Sequence, residues 1–510
     1  FITPSPSTIK EISNFLANNF SIDVTLDKDI INGYNHDWSN MIGYADALCR
    51  PKNSFECSII IRICSLLKIP VTMSAGRTNL TGSATPNGGI IISVEKMKEV
   101  SNFNLKNKKI NVSPGVYIED LRNIVMSKSK KKLVFPVDPT SRKEAMVGGA
   151  VSCNASGFVP GEKGSMRYWV CEIEFILPNG NYIKIERGQY VSKGGQFTIN
   201  HPDNTQSIIH VPKYKRVNLK NASGPFSSKG GKLDFVDLII GSEGIFGCIT
   251  NVTLTLQDAP KEHLNLFIKL KDEDSAFNFY FYIKGKVHDM STLSGFEYFG
   301  DNCSSFMHHH EHFFNNDYRV GVYIQIPLFK EGVDEAIEKW HQILMNFEDI
   351  NKDEQILSLN DPNNWKTFFE ARHSIPSNAL QKSKEYNTAS IITDTIVPPE
   401  SFNKFIKKTH LLIKSYNIDY LLFGHLGDCH LHFHLIPSIQ NEKKAIKCYR
   451  EIIRISTKLG GIYSAEHGTG KRKKQDFIEC YGDSGISQII KCKEGFDPDF
   501  LFNSGNVVDK

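Results

Sequence analysis

Three glycine-rich segments, residues 74–83, 148–157 and 241–247, lie in the first half of this 510-residue chain. The first follows Ile69-Pro70-Val71-Thr72-Met73, which reads as a short strand. The third follows Phe235-Val236-Asp237-Leu238-Ile239-Ile240, an apolar run that reads as a buried strand. A loop of small residues after a strand presents backbone N–H groups as a concave nest, which suits phosphate oxygens. One such loop is ordinary. Three in one half of a chain constrain it more tightly, because a long dinucleotide held in extended form needs several contacts of this kind. The standard phosphate loops are missing. Gly470-Lys471 is followed by Arg472, so no Walker-type loop exists, and the spacing of Gly241, Gly244 and Gly247 does not make a Rossmann fingerprint.

Around these loops the pattern is mixed α/β. Helices are expected over Pro6 to Asn19, with an apolar stripe of Ile9, Ile12, Phe15 and Leu16, and from Ser54 to Leu67. Strands are expected at Ile90 to Val94, Val170 to Leu177 and Ile249 to Leu256. Residues 186–233 are polar and rich in Gly and Ser, and read as a long irregular insertion. Beyond Pro260, strands at Leu264 to Leu270 and Arg319 to Ile326 alternate with amphipathic helices at Val333 to Phe347 and Glu400 to Tyr416. The C-terminal stretch reads as largely helical, with Glu451 to Leu459 the clearest case. The organisation expected is a lead-in over residues 1–39, a first domain over 40–258, a second over 259–455 and a closing segment over 456–510.

A net charge of +4 gives no reason to expect a nucleic-acid partner. The basic runs at Lys128 to Lys132 and Lys471 to Lys474 read as solvated loops, with peripheral contact to an anionic membrane as the alternative. Eleven cysteines without a C-x-x-C pair point away from zinc ribbons, iron–sulfur domains and disulfide frameworks, and toward reduced thiols in the cytoplasm. No apolar run is long enough for a transmembrane helix.

The chemistry concentrates near the C-terminus, in Gly424-His425-Leu426-Gly427-Asp428-Cys429-His430-Leu431-His432-Phe433-His434 and Ser464-Ala465-Glu466-His467-Gly468-Thr469-Gly470-Lys471. Alternation over Leu431 to Leu435 is the period of a strand, so His430, His432 and His434 share one face. At about 3.3 Å per residue, His430 and His434 lie roughly 13 Å apart, so one ion cannot bind all three. Only one of the three is then expected as a ligand; His425 can join it if Leu426 to Cys429 forms a turn, and Glu466 can add an oxygen ligand. Two imidazoles and a carboxylate with one position left open are a catalytic zinc pattern. His467 follows Glu466 directly, and a neutral imidazole near a cation can accept a proton at pH 7. Arg372 carries a fork that suits a carboxylate. The run His308-His309-His310 with His312 lies on a polar segment without glycine context and reads as solvated.

Taken together, these segments resemble the FAD-linked D-2-hydroxy acid dehydrogenases, within the vanillyl-alcohol oxidase superfamily and its PCMH-type FAD-binding domain. The likeness runs over about residues 40–507. It implies an α+β fold: a two-part FAD-binding domain, an α+β substrate (cap) domain with an antiparallel sheet, and a C-terminal helical segment returning to the FAD domain. It assigns Ser74, Ala75, Gly76, Arg77, Thr78, Asn79 and Gly82 to the pyrophosphate loop, and Asp138, Thr140 and Ser141, in Pro136-Val137-Asp138-Pro139-Thr140-Ser141, to the flavin side. Gly148, Gly149, Asn154, Ala155 and Gly157 match its glycine–asparagine loop. Glu243, Gly244, Gly247 and Ile249 belong to its Gly-Ser-Glu-Gly turn and the strand after it, and Asn503 to its terminal Asn-x-Gly.

The family motif Gly-His-x-Gly-Asp-Gly-Asn-Leu-His implies His425 and His432 as metal ligands with Glu466, His467 as general base and Arg372 as the carboxylate binder. The chain departs from the family in several places. Ser74-Ala75-Gly76-Arg77-Thr78 stands for Arg-Gly-Gly-Gly-Thr, so Arg77 is expected to supply the missing charge. Thr78 occupies the position of the histidine that carries covalent flavin in some relatives, which implies dissociable FAD. Cys429 and His430 replace Gly and Asn. The expectation is FAD-dependent, metal-assisted oxidation, with a divalent ion such as zinc, of a lactate-like D-2-hydroxy acid. Quinone, cytochrome, electron-transfer flavoprotein and oxygen all stay open as acceptor, and a homodimer is allowed. Alkyl transfer, as in alkylglycerone-phosphate synthases, and an electron-passing subunit are the alternative functions.

Overall fold

The computed structural model describes residues 6–202 and 204–510. Its first helix, Pro6–Phe20, buries Ile9, Ile12 and Leu16, while Phe15 turns to solvent. Two sheets follow. One has four strands in the order Asp23–Thr25, Ala47–Arg50, Ile90–Ser93, Val71–Ser74. Its Ile90–Ser93 strand pairs in parallel on both sides and is buried along its whole length, which is why the sequence there is continuously apolar rather than alternating. The other is a five-stranded antiparallel sheet: Val100–Asn104, Lys109–Val112, Cys248–Thr255, Val170–Ile176, Tyr182–Glu186.

Two local expectations change. Phe235–Ile239 is a helix, not a strand. A short apolar run suits either period. Here Asp234 settles the choice, because its side chain accepts the Val236 N–H and caps a helical turn. The stretch 186–233 is also less irregular than its composition suggests, since Gln196–Asn200 and Gln206–His210 pair as an antiparallel hairpin.

From Glu262 onward one seven-stranded antiparallel sheet dominates. Its order is Ile356–Ser358, Glu262–Leu270, Val320–Leu328, Gly295–Phe299, Asp419–His425, His430–Ile436, Ile391–Ile392. The helices Glu273–Val287, Val333–Met345, Pro399–Ser415 and Glu442–Lys458 contribute Phe277, Trp340, Phe402 and Ile452 to the core on one face. The helix Pro362–Glu385 contributes Phe368 and Ile375 to a second core, around Phe267 and Phe299. The last helical segment, Lys474–Phe496, broken by a kink at Gly482, instead joins the core of the five-stranded sheet through Phe477, Ile489, Cys492 and Phe496. The chain then reaches the four-stranded sheet, where Phe502 bridges to Val71. This is the α+β architecture expected, with the closing segment back on the first half. Among the described residues no helix is long and apolar enough to cross a membrane.

Candidate active site

One cleft, partly open to solvent, collects nearly every residue singled out from the sequence. Its walls include Ser74 to Asn79, Asp138, Thr140, Ser141, Gly148, Gly149, Ala155, Gly157, Glu243, Gly244, Gly247, Ile249 and Asn503. Arg372, His425, His432, Glu466 and His467 line the same cleft. Gly82 and Asn154 lie off the wall. Asn154 works behind it, accepting the Arg167 N–H at 3.0 Å. Arg77 keeps its backbone on the cleft but lays its guanidinium over the Tyr34 ring, 4.3 Å from the centroid.

Close backbone approach shapes the floor of the cleft. A Cβ at Gly76 would meet the Glu144 carbonyl at 2.1 Å, and one at Gly148 would meet Pro114 at 2.5 Å. Glu243 is fully buried and turned inward as a brace. It accepts the N–H groups of Thr469 at 2.7 Å and Gly470 at 2.8 Å, along with the Ser83 hydroxyl. The His467 loop is thereby fixed against the first glycine segment. A long, glycine-floored groove with buried polar braces fits an extended dinucleotide.

The histidines are delivered by the hairpin Asp419–His425/His430–Ile436, whose register sets His425 opposite His430. His425 Nδ1 lies 2.6 Å from Glu297 Oε1, and His432 Nδ1 lies 3.0 Å from the Thr393 carbonyl. With those nitrogens engaged, both Nε2 atoms face Glu466 Oε1, at 3.6 Å and 3.4 Å. His430 joins them: donor atoms of His425, His430, His432 and Glu466 all lie within 4.8 Å of one another. His430 Nε2 is held by Asp394 at 3.0 Å, while its Nδ1 is buried without a partner among the described residues. An orphaned imidazole nitrogen beside two imidazoles and a carboxylate is a donor set that fits a divalent cation. The strand geometry thus excludes His434 from the cluster but brings His430 to it, where spacing had favoured a single ligand from this strand. The His309, Glu311 and His312 group lies on the exposed surface, away from the cleft.

Electrostatics separate the roles. Burial opposes charge on His425, but Glu297 and Glu466 overcome it and lift its pKa to about 10. Burial also drives His430 and His467 down, each to about 4. His467 is therefore neutral near pH 7, with Nε2 3.8 Å from Glu466 Oε1 and Nδ1 3.8 Å from Asp394 Oδ2. Glu297 would be raised by its burial, yet His425 and Arg372 hold it down at about 2.

Four residues essential to this geometry escaped the sequence reading. Asp394 is wholly buried, accepting from Ser464 Oγ at 2.6 Å and the His467 N–H at 2.8 Å, with Lys473 Nζ at 3.5 Å. Glu297 is 3% exposed and stands between His425 and Arg372, the latter at 3.5 Å. Lys220, from the 186–233 insertion, places its ammonium 3.0 Å from Glu466 Oε2 and 3.5 Å from Asp428. Thr393 supplies the carbonyl that orients His432. Glu297 does leave a trace, a lone carboxylate inside an aromatic run, and Asp394 a fainter one, a lone carboxylate between two threonines in an otherwise apolar stretch. Lys220 leaves none.

Residues 45–186 match the model of an FAD binding domain, and residues 291–507 match that of the C-terminal domain of FAD linked oxidases. The chain is 25% identical to a D-lactate dehydrogenase of Anaerostipes hadrus, covering 96% of this chain and 95% of that protein. It is 25% identical to glycolate oxidase subunit GlcD of Bacillus subtilis, covering 91% and 89%. It is 23% identical to a D-2-hydroxyglutarate dehydrogenase of Stutzerimonas stutzeri, covering 95% and 96%. Among solved structures, p-cresol methylhydroxylase with substrate bound superimposes with a TM-score of 0.68 at 15% identity, over 98% of this chain and 97% of that one. An alkyldihydroxyacetonephosphate synthase does so at 0.66 and 15%, over 98% and 84%. At such identities these two likenesses speak to the fold alone.

Proposed function

The chain belongs to the FAD-linked oxidases, and from that premise we propose that it oxidises a D-2-hydroxy acid with a small apolar side chain to the 2-oxo acid. In this reading residues 40–258 and 456–510 hold the cofactor and residues 259–455 cover the substrate. The observation that carries it is the convergence in one cleft of a guanidinium, a cluster of imidazoles with a carboxylate, and a separate neutral imidazole. Bound non-covalent FAD would supply the two-electron hydride acceptor, and a divalent ion such as zinc would lower the pKa of the substrate hydroxyl. Arg372 pairs with the substrate carboxylate through its fork. His425, His432 and Glu466 hold the ion, with His430 beside them. His467 Nε2 takes the hydroxyl proton, and Asp394 orients the loop that carries it.

The substrate class follows from the walls near Arg372. Phe158 stacks on the guanidinium, 4.3 Å from ring centroid to Cζ, and Ile392, Phe423 and Pro376 supply apolar surface. A second carboxylate on the substrate would meet Glu297 rather than a cation, so a lactate-like monocarboxylate fits better than a dicarboxylate. The test is a panel of D- and L-2-hydroxy acids with a dye acceptor, run on wild type and His467→Ala. Turnover is expected for D-lactate-like acids only. The variant is expected to keep its FAD and lose about 100- to 10,000-fold in kcat, the range for a general base. Undiminished kcat in His467→Ala would overturn the base assignment, and preference for a dicarboxylate would overturn the substrate class.

A further inference from the structure

Glu297 stands where two sites meet. It projects from Gly295–Phe299, a strand buried at every residue, into the space between Arg372 and His425. One carboxylate oxygen lies 2.6 Å from His425 Nδ1 and the other 3.5 Å from Arg372 Nη2. A carboxylate at such a depth needs partners for both oxygens, and here the partners belong to different tasks. The contact to His425 fixes that ring so that Nε2 faces Glu466. The contact to Arg372 holds a guanidinium also packed on Phe158.

We infer that Glu297 is a positioning residue joining the metal cluster to the substrate-carboxylate site. It keeps His425 in the tautomer that offers Nε2 to an ion, and holds Arg372 ready until a substrate carboxylate shares the guanidinium. Carboxylates behind metal-binding histidines raise ligand basicity, and their loss costs about 10- to 100-fold in metal affinity. Because Arg372 is shared, the same carboxylate weakens the grip on an incoming anion. Removing its charge therefore affects the two sites in opposite directions. A purely structural role would not do that.

This inference rests on reading His425 as a metal ligand. The test uses the FAD-loaded protein and zinc itself, with affinity read by competition against a chromophoric chelator. Glu297→Gln keeps the size and a hydrogen-bond acceptor while losing the charge. Zinc affinity is expected to fall about 10- to 100-fold, with FAD content and melting temperature close to wild type. At saturating zinc, KM for the hydroxy acid is expected to fall, because Arg372 no longer shares its charge with Glu297; an unchanged or raised KM would overturn the link between the two sites. Glu297→Asp, which restores charge on a shorter stem, should recover part of the zinc affinity, and it serves as the readout if the Gln variant folds poorly. Combined with His425→Ala, Glu297→Gln should cost nothing further, because its effect passes through that ring. Unchanged zinc affinity in Glu297→Gln, or fully additive losses in the double variant, would overturn the inference. Wild-type zinc affinity in His425→Ala would instead overturn the ligand assignment on which it stands.

Discussion

His434 lies on the cleft wall with Nδ1 buried and unpartnered among the described residues. Burial, reinforced by His432 and His467, pushes its pKa down to about 3. A histidine in an unfolded chain titrates near 6.5. Between those values the unfolded chain holds a proton that the folded site refuses. Stability is therefore intact above about 6.5 and declines as pH falls toward about 3. At about 1.4 kcal/mol per pH unit, this one side chain costs about 2 kcal/mol at pH 5. His434→Leu should flatten the fall in melting temperature between pH 7 and pH 5, and parallel curves for the two proteins would refute that. The same burial hides much of the site from a sequence reading. The histidines announce themselves by spacing. Glu297 and Asp394 act through depth, since each is a lone charge among uncharged neighbours and its partners are distant in sequence. Lys220 sits in a polar stretch like any solvated lysine, and only the fold reveals that its ammonium is buried against Glu466.

Of the hairpin carrying the histidines, only the second strand was readable as an element, from its alternation; its partner Asp419–His425 was not. The detail of the turn was not readable. Leu426–Asp428 forms a single 3-10 turn, and Cys429 closes it with φ +56, a left-handed conformation that costs a side chain about 1–3 kcal/mol. That residue sets the register placing His430 opposite His425. Cys429→Val adds a β-branch where φ is positive, the worst class of residue for such a position. The expected result is further destabilisation, of about 1 kcal/mol by chemical denaturation, with weaker zinc binding as the two rings shift. A fully stable Val variant with native zinc affinity would show that the turn tolerates another path. The opposite lesson comes from Phe235–Ile239, where a buried apolar run suggested a strand. Its side chains fit either element, and the outcome rested on the one polar residue before it, Asp234.

The molecule as a whole is closed by its last residues. After Phe496 the chain crosses to the four-stranded sheet, so that Phe502 bridges Val71 and Val507 donates its N–H to Gly470 at 2.9 Å in the His467 loop. Asn503 is the centre of this clasp and is 3% exposed. Its Oδ1 accepts the Met73 N–H at 2.8 Å, and its Nδ2 donates to the Glu243 carbonyl at 2.9 Å. Asn506 donates to the same carbonyl at 3.2 Å and to that of Ser83 at 2.7 Å. The first and third glycine segments and the His467 loop are thus tied together by a stretch some 250 residues or more away from each of the first two. Asn503→Ala strands a backbone N–H beside the cleft, at a cost of about 1–3 kcal/mol for an unpaired buried group. That cost falls on the closed arrangement that grips the cofactor. At about 1.4 kcal/mol per tenfold, FAD dissociation should become about 10- to 100-fold more favourable. Flavin absorbance retained after exhaustive dialysis measures this directly. The variant should emerge largely colourless yet folded and regain its spectrum when FAD is added back in excess, whereas full retention of FAD would show that the glycine loops hold the dinucleotide without the clasp.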